Sequence, residues 1–170
     1  PKRDWSSDVC SSDLYFMNME QNRHLYFGYG MNTHTEQMAK RCPTAEMIGP
    51  ATLNNYRFVF RHHADVQLDE DCWVDGLLWS VTEADLKALD QLEGYPTYYH
   101  RFRAFVEIEE QRVVAWVYQM NDQGFEEWPS QSYLDMCVEG YTQNGVPLDQ
   151  IHEALDRVPE HYRQIGRAHV

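Results

Sequence analysis

Apolar positions along the chain change period several times, and the changes mark out strands interleaved with short helices. His24–Asn32, HLYFGYGMN, reads as a strand running straight into a tight glycine turn. Thr33 then opens a short helix to Arg41, with Glu36 three residues on completing a capping box, and Cys42-Pro43 closes it. From Ala51 to His63 the large apolar residues Leu53, Tyr56, Phe58 and Phe60 alternate with polar ones, the pattern of a half-buried strand. His63–Cys72 reads as a polar, acidic loop, and Trp73–Val81 as another strand. Thr82 caps a helix with Leu86, Leu89 and Leu92 as its buried stripe, and Gly94 stands where a helix-ending glycine belongs. Tyr98–Glu109 and Arg112–Asn121 are two more strands across a polar turn. Ser130 caps a helix presenting Tyr133, Met136, Cys137, Gly140 and Tyr141 on one face, and a last short helix follows Pro147. Several strand pairs lie too close in sequence for a crossover helix. The expected class is therefore α/β of the mixed α+β kind, a mixed sheet with helices packed around it.

The two ends stand apart from this pattern. Residues 8–13 read DVCSSD and residues 165–170 read IGRAHV. The codons GAC-GTG-TGC-TCT-TCC-GAT encode the first, and their reverse complement, ATC-GGA-AGA-GCA-CAC-GTC, encodes the second. Such an inverted repeat is what translated sequencing-adapter sequence would give. Segments 1–14 and 165–170 are accordingly expected to be foreign to the fold, with Met17 or Met19 as the start and one domain over 22–158. About 140 residues remain, enough for one compact domain with a genuine core and too few for two.

Charge and cysteines narrow the function classes. The net charge is −13, and the end segments carry as many acidic as basic residues. So acidic a chain suits neither nucleic acid nor an anionic membrane, and any anionic ligand must be held by local donors. No apolar run reaches membrane-spanning length and no signal-peptide pattern is present. Cys42, Cys72 and Cys137 form no CxxC spacing, so a reducing, cytoplasmic setting is expected rather than a disulfide framework or zinc site. There is no long glycine-rich nucleotide loop, and no cofactor is expected. Aromatic residues make up 14%, enough for a packed core and a ring-lined pocket.

Two segments carry candidate chemistry. A strand–glycine turn–helix junction at Tyr29–Asn32 leaves backbone N–H groups at the positive end of a helix dipole, a seat for a small carboxylate. Glu93 sits at a helix C-terminus, where the dipole disfavours negative charge, beside Tyr95, Tyr98 and Tyr99. Both effects push a carboxyl's pKa upward, toward the range useful for proton transfer near neutrality. The bland alternative is a solvent-facing glutamate at a helix end. His62, His63 and Asp65 resemble a ligand cluster, but neighbours on a strand point to opposite faces, so no metal site is expected there. No serine occupies a strained strand-to-helix elbow.

Taken together these residues resemble the γ-glutamylcyclotransferase family over nearly the whole of 22–158, with the bacterial and phage branch most similar. The family's Tyr-Gly-Ser-Asn turn stands here as Tyr29-Gly30-Met31-Asn32, and its Leu-Asp-x-x-Glu-Gly as Leu89-Asp90-Gln91-Leu92-Glu93-Gly94. Arg41-Cys42-Pro43, Tyr99, the run Pro129–Tyr133 and Asn144–Leu148 match further parts of the pattern. The resemblance implies a mixed sheet or partly closed barrel with surrounding helices. It also implies an enzyme that releases 5-oxoproline and a free amine or amino acid from a small γ-glutamyl amide, with no cofactor. By that analogy Glu93 is the general acid/base, and Tyr29, Gly30, Met31, Asn32, Tyr99 and Tyr133 bind the substrate. Met31 in place of the family serine reshapes the pocket wall or, if that hydroxyl matters, alters substrate preference. The alternative is a catalytically idle domain of the same fold that binds a small ligand or a partner.

Overall fold

The computed structural model describes residues 22–159, so the end segments 1–14 and 165–170 lie outside the described residues. In chain order the elements are β1 (Arg23–Gly28), a 3-10 turn (Met31–Thr33), α1 (Thr35–Arg41), β2 (Glu46–Arg61), β3 (His63–Thr82), α2 (Glu83–Leu92), β4 (Tyr99–Ile108), β5 (Gln111–Met120), α3 (Gln131–Asn144) and α4 (Asp149–Arg157). The strands lie in the order β1-β3-β2-β4-β5. Neighbours along that order are antiparallel, and β1 meets β5 in parallel only at Tyr26↔Trp116. The sheet is thus mixed and curls into a partly closed barrel, with the helices around it. Among the described residues no helix is long and apolar enough to cross a membrane.

The core fills the curl. Phe27, Leu53, Phe58, Phe60, Leu77 and Val117 are almost wholly buried there. On β2 the positions that join the main core cluster are odd-numbered at Ala51 and Leu53 but even-numbered at Phe58 and Phe60. A strand side-chain period of two forbids that switch unless the strand is interrupted. The interruption falls between Asn54 and Tyr56, where pairing passes from Asn54↔Trp73 to Tyr56↔Leu68 and Asn55 takes a φ of 66°. Such bulges restore the inward face at the cost of a local kink.

Three local expectations are corrected. The polar stretch His63–Cys72 belongs to strand β3 rather than a loop. Its outer part is held by the ladder to β2 and half exposed, so no apolar alternation announces it. α1 is capped by His34, whose Nδ1 accepts from the Gln37 N–H, while the Thr33 hydroxyl donates to the Gly30 carbonyl. The Thr33–Glu36 capping box therefore does not form. Leu92 is exposed at the end of α2 instead of completing its buried stripe, which is Leu86 and Leu89.

Other signals hold. Thr82 and Asp85 make a reciprocal capping box at the start of α2, Gly94 takes the left-handed φ of 63° just past its end, and Ser130 caps α3. α3 lies directly on the turn after β1. A Cβ on Gly140 would come within 2.6 Å of both the His34 nitrogen and the Thr33 hydroxyl, so only glycine permits this approach.

Candidate active site

Where β1 ends, the chain turns through Gly30 and coils once before α1. A Cβ at position 30 would lie 2.9 Å from both the Ala64 methyl and the Tyr133 hydroxyl, so the absent side chain lets the turn press against β3 and α3. Asn32, almost fully buried in this turn, faces the end of α2. Its amide Nδ2 donates to Glu93 Oε1 at 3.2 Å and to the Tyr26 hydroxyl at 2.9 Å, while its Oδ1 accepts from Arg41 Nη1 at 2.7 Å.

These groups face a cavity of about 180 Å³. Its inner wall is built of buried tyrosines and its mouth of the exposed residues His63, Leu92 and Tyr98. Ala64, at the start of β3, fixes two walls at once. Its carbonyl accepts from the Tyr99 hydroxyl at 2.8 Å, and its N–H donates to the Tyr133 hydroxyl at 3.0 Å. The turn itself is pinned from below, where Tyr141 donates to the Tyr29 carbonyl and Tyr29 donates to the Tyr118 carbonyl, each at 2.6 Å.

Glu93 keeps partial exposure as a residue, but its carboxylate is turned into this tyrosine-lined space. Burial pushes its pKa from the usual 4.5 up to about 7, against the opposing pull of the Arg41 charge and the Asn32 hydrogen bond. Burial also raises the Tyr26, Tyr99 and Tyr133 hydroxyls well above their ordinary range, so they remain protonated donors. The site thus offers a carboxylate able to take and return a proton near neutrality, among neutral tyrosine hydroxyls and the charged Arg41.

All seven residues singled out from the sequence line this one cavity: Glu93, Tyr29, Gly30, Met31, Asn32, Tyr99 and Tyr133. Reading the sequence missed Tyr26, Arg41, Ala64 and Tyr118, which also line it. Arg41 had a signal only within the family pattern, while Ala64 and Tyr118 come from distant strands and have none locally. Contrary to the expectation from the sequence, His62 and His63 do not share a strand. His62 occupies the turn between β2 and β3 with a φ of 62° and pairs with Glu127, whereas His63 stacks edge-on against Tyr133 at the pocket mouth. Among the described residues no group of three or more His, Cys, Asp or Glu side chains is arranged to hold a metal.

The family model described as "Gamma-glutamyl cyclotransferase, AIG2-like" matches residues 26–135, which contain the turn, Glu93 and Tyr133. The chain is 26% identical over 156 residues to the gamma-glutamylcyclotransferase of Bos taurus, covering 82% of this chain and 81% of that protein. To the gamma-glutamylcyclotransferase of Homo sapiens it is 23% identical over 145 residues, covering 76% of each. A solved structure titled gamma-glutamyl cyclotransferase superposes with a TM-score of 0.71 at 23% identity, covering 86% of this chain and 99% of that one. That likeness in fold, with the family match across the pocket, places the chain in the γ-glutamyl cyclotransferase, AIG2-like family.

Proposed function

We propose that this protein cyclises a γ-glutamyl amide, with Glu93 moving the proton. In the substrate the α-nitrogen attacks the carbonyl carbon of the side-chain amide, closing a five-membered ring. The bond from that carbon to the departing amine then breaks, and the products are 5-oxoproline and a free amine. The α-ammonium must lose a proton before it can attack, and the departing nitrogen must gain one. A single carboxylate can carry that proton between the two sites, and no enzyme nucleophile or cofactor is required. The observation that carries the reading is a carboxylate facing the pocket, its pKa pushed by burial up to about 7, within the segment that the family model matches.

The remaining chemistry is positioning. In this reading the turn Tyr29–Asn32 receives the α-carboxylate on its backbone N–H groups and folds the flexible glutamyl chain toward the ring, a large part of what an enzyme offers a cyclisation. The Tyr133 hydroxyl accepts from the Ala64 N–H, and the Met31 backbone and the buried Cys137 thiol are its other hydrogen-bond partners. In this reading its O–H turns from the thiol to donate to the substrate carbonyl. Tyr99, whose proton is spent on the Ala64 carbonyl, serves as a wall. Met31, with its thioether against Arg41, narrows the pocket beside the turn.

The test is 5-oxoproline release from a panel of γ-glutamyl dipeptides, glutathione and γ-glutamyl amines, with Glu93→Gln assayed beside the wild type. Release that depends on Glu93 supports the cyclotransferase reading, and the best substrate identifies its amine. No release from any of them by a folded protein would leave a ligand-binding domain.

A further inference from the structure

Asn32 stands at the centre of the site, and the direction of its amide decides what its neighbours can do. An amide has an accepting end and a donating end, and turning it over exchanges them. Arg41 lies at the last position of α1 and offers only N–H donors, so the oxygen of Asn32 must face it. The donating end is thereby forced toward Glu93 and Tyr26. It gives one hydrogen to Glu93 Oε1 and the other to the Tyr26 oxygen, so Tyr26 spends a lone pair on Asn32 and not its own proton.

We propose that Arg41 is a positioning residue of this site: acting through the Asn32 amide, it holds Glu93 as a proton acceptor and leaves the Tyr26 hydroxyl proton to be donated into the pocket. The proposal rests on the reading of Glu93 as the proton carrier. The surroundings of Glu93 make Arg41 the natural source of this control. β1 and the turn bring Tyr26 and Tyr29, β5 brings Tyr118, α3 brings Tyr133, and the entry to β4 brings Tyr98 and Tyr99. Burial raises every one of these hydroxyls, so all are neutral near pH 7. His63, from β3, is pushed downward by burial and by His62, and is neutral there too. Among the described residues lining the pocket, Arg41 is the group left with a positive charge at that pH.

Losing Arg41 would act in two ways. The nearby charge that favours the carboxylate disappears, and the Asn32 amide becomes free to turn its oxygen toward Glu93. Both favour the protonated carboxyl. Glutamate side-chain carbons labelled with 13C allow the Glu93 titration to be followed by NMR in the ligand-free full chain, the resonance being assigned by its loss in Glu93→Gln. The wild type is expected to titrate at about 7. Arg41→Gln is expected to move that midpoint up by about one pH unit or more, and Arg41→Lys, which keeps the charge but not the fork, by less. The rising limb of kcat/KM against pH should move in the same direction.

An Arg41→Gln midpoint within about 0.3 units of the wild type, far below what a removed neighbouring charge should produce, would overturn the proposal. Thermal melts identify a variant that fails to fold, in which case Arg41→Met, which keeps most of the aliphatic stem, takes its place. If neither variant folds, the role of Arg41 is structural and the proposal falls. A wild type inactive on the whole substrate panel, yet showing the titration shift, would remove the cyclotransferase reading and leave the Arg41 linkage standing.

Discussion

Glu93 and Asp65 are both carboxylates taken out of water close to the same pocket, and they are treated in opposite ways. Asp65 is fully buried and saturated with donors: the Arg61 guanidinium, the Gln123 amide at 2.9 Å, and the Met120 N–H at 2.8 Å, with Val66 N–H adding to them. Burial raises its pKa, and these partners offset only part of that rise. They also tie the start of β3 to the end of β5, one residue from the Ala64 backbone that holds Tyr99 and Tyr133. Glu93 accepts from the Asn32 amide at 3.2 Å and presents its carboxylate to open space. Burial alone does not mark a reactive carboxylate; burial with acceptor capacity left unspent does. Asp65 builds the pocket, and Glu93 is left poised within it.

That contrast can be broken by experiment. Glu93→Gln should lower 5-oxoproline release by about 10²–10⁴-fold, the usual contribution of a general acid/base, with the circular dichroism spectrum unchanged. Asp65→Asn should do the reverse, costing about 3–5 kcal/mol in denaturant unfolding because Arg61 is left as an uncompensated buried charge. A mild effect there would mean that the pair is not structural.

The raised Glu93 pKa has a stability consequence of definite sign. The folded protein holds the Glu93 proton more tightly than the unfolded chain, at about 7 against 4.5. Its contribution to stability is therefore fully present below pH 4.5 and is lost as pH rises through 7. Relative to Glu93→Gln, the wild type should lose about 3 kcal/mol between those limits, read as the difference between unfolding curves at pH 4.5 and pH 8. A constant difference would show a carboxylate with an ordinary pKa. Smaller still is Gly140→Ala, expected to cost about 1–3 kcal/mol and to lower turnover as well, since the added methyl pushes on Thr33 and His34 beneath the turn.

The same two carboxylates show what the chain makes legible. Glu93 was readable because its signals are local: the Leu86 and Leu89 stripe, the glycine that ends the helix, and the tyrosines that follow. Asp65 was read first as part of a polar loop and then as a possible ligand, because its partners Met120 and Gln123 lie 55 and 58 residues away. The outer part of β3 escaped for a related reason. Its strand character comes from pairing with β2, and a half-exposed strand needs no apolar alternation. Arg41 and Tyr26 stand on short elements whose periodicity reports burial but not which side chains meet. The cap of α1 shows rival local signals: Thr33 and Glu36 offered a capping box, but the pull of Gly30 on the Thr33 hydroxyl left His34 as the cap.

The central claim is that a burial-raised Glu93 carries the proton of a cyclisation. The most direct test is kcat/KM for 5-oxoproline release as a function of pH, using the best substrate of the panel. A limb rising with an apparent pKa near 7, and absent from the residual activity of Glu93→Gln, is the predicted result. A limb near 4.5, or a profile unchanged in Glu93→Gln, would contradict it.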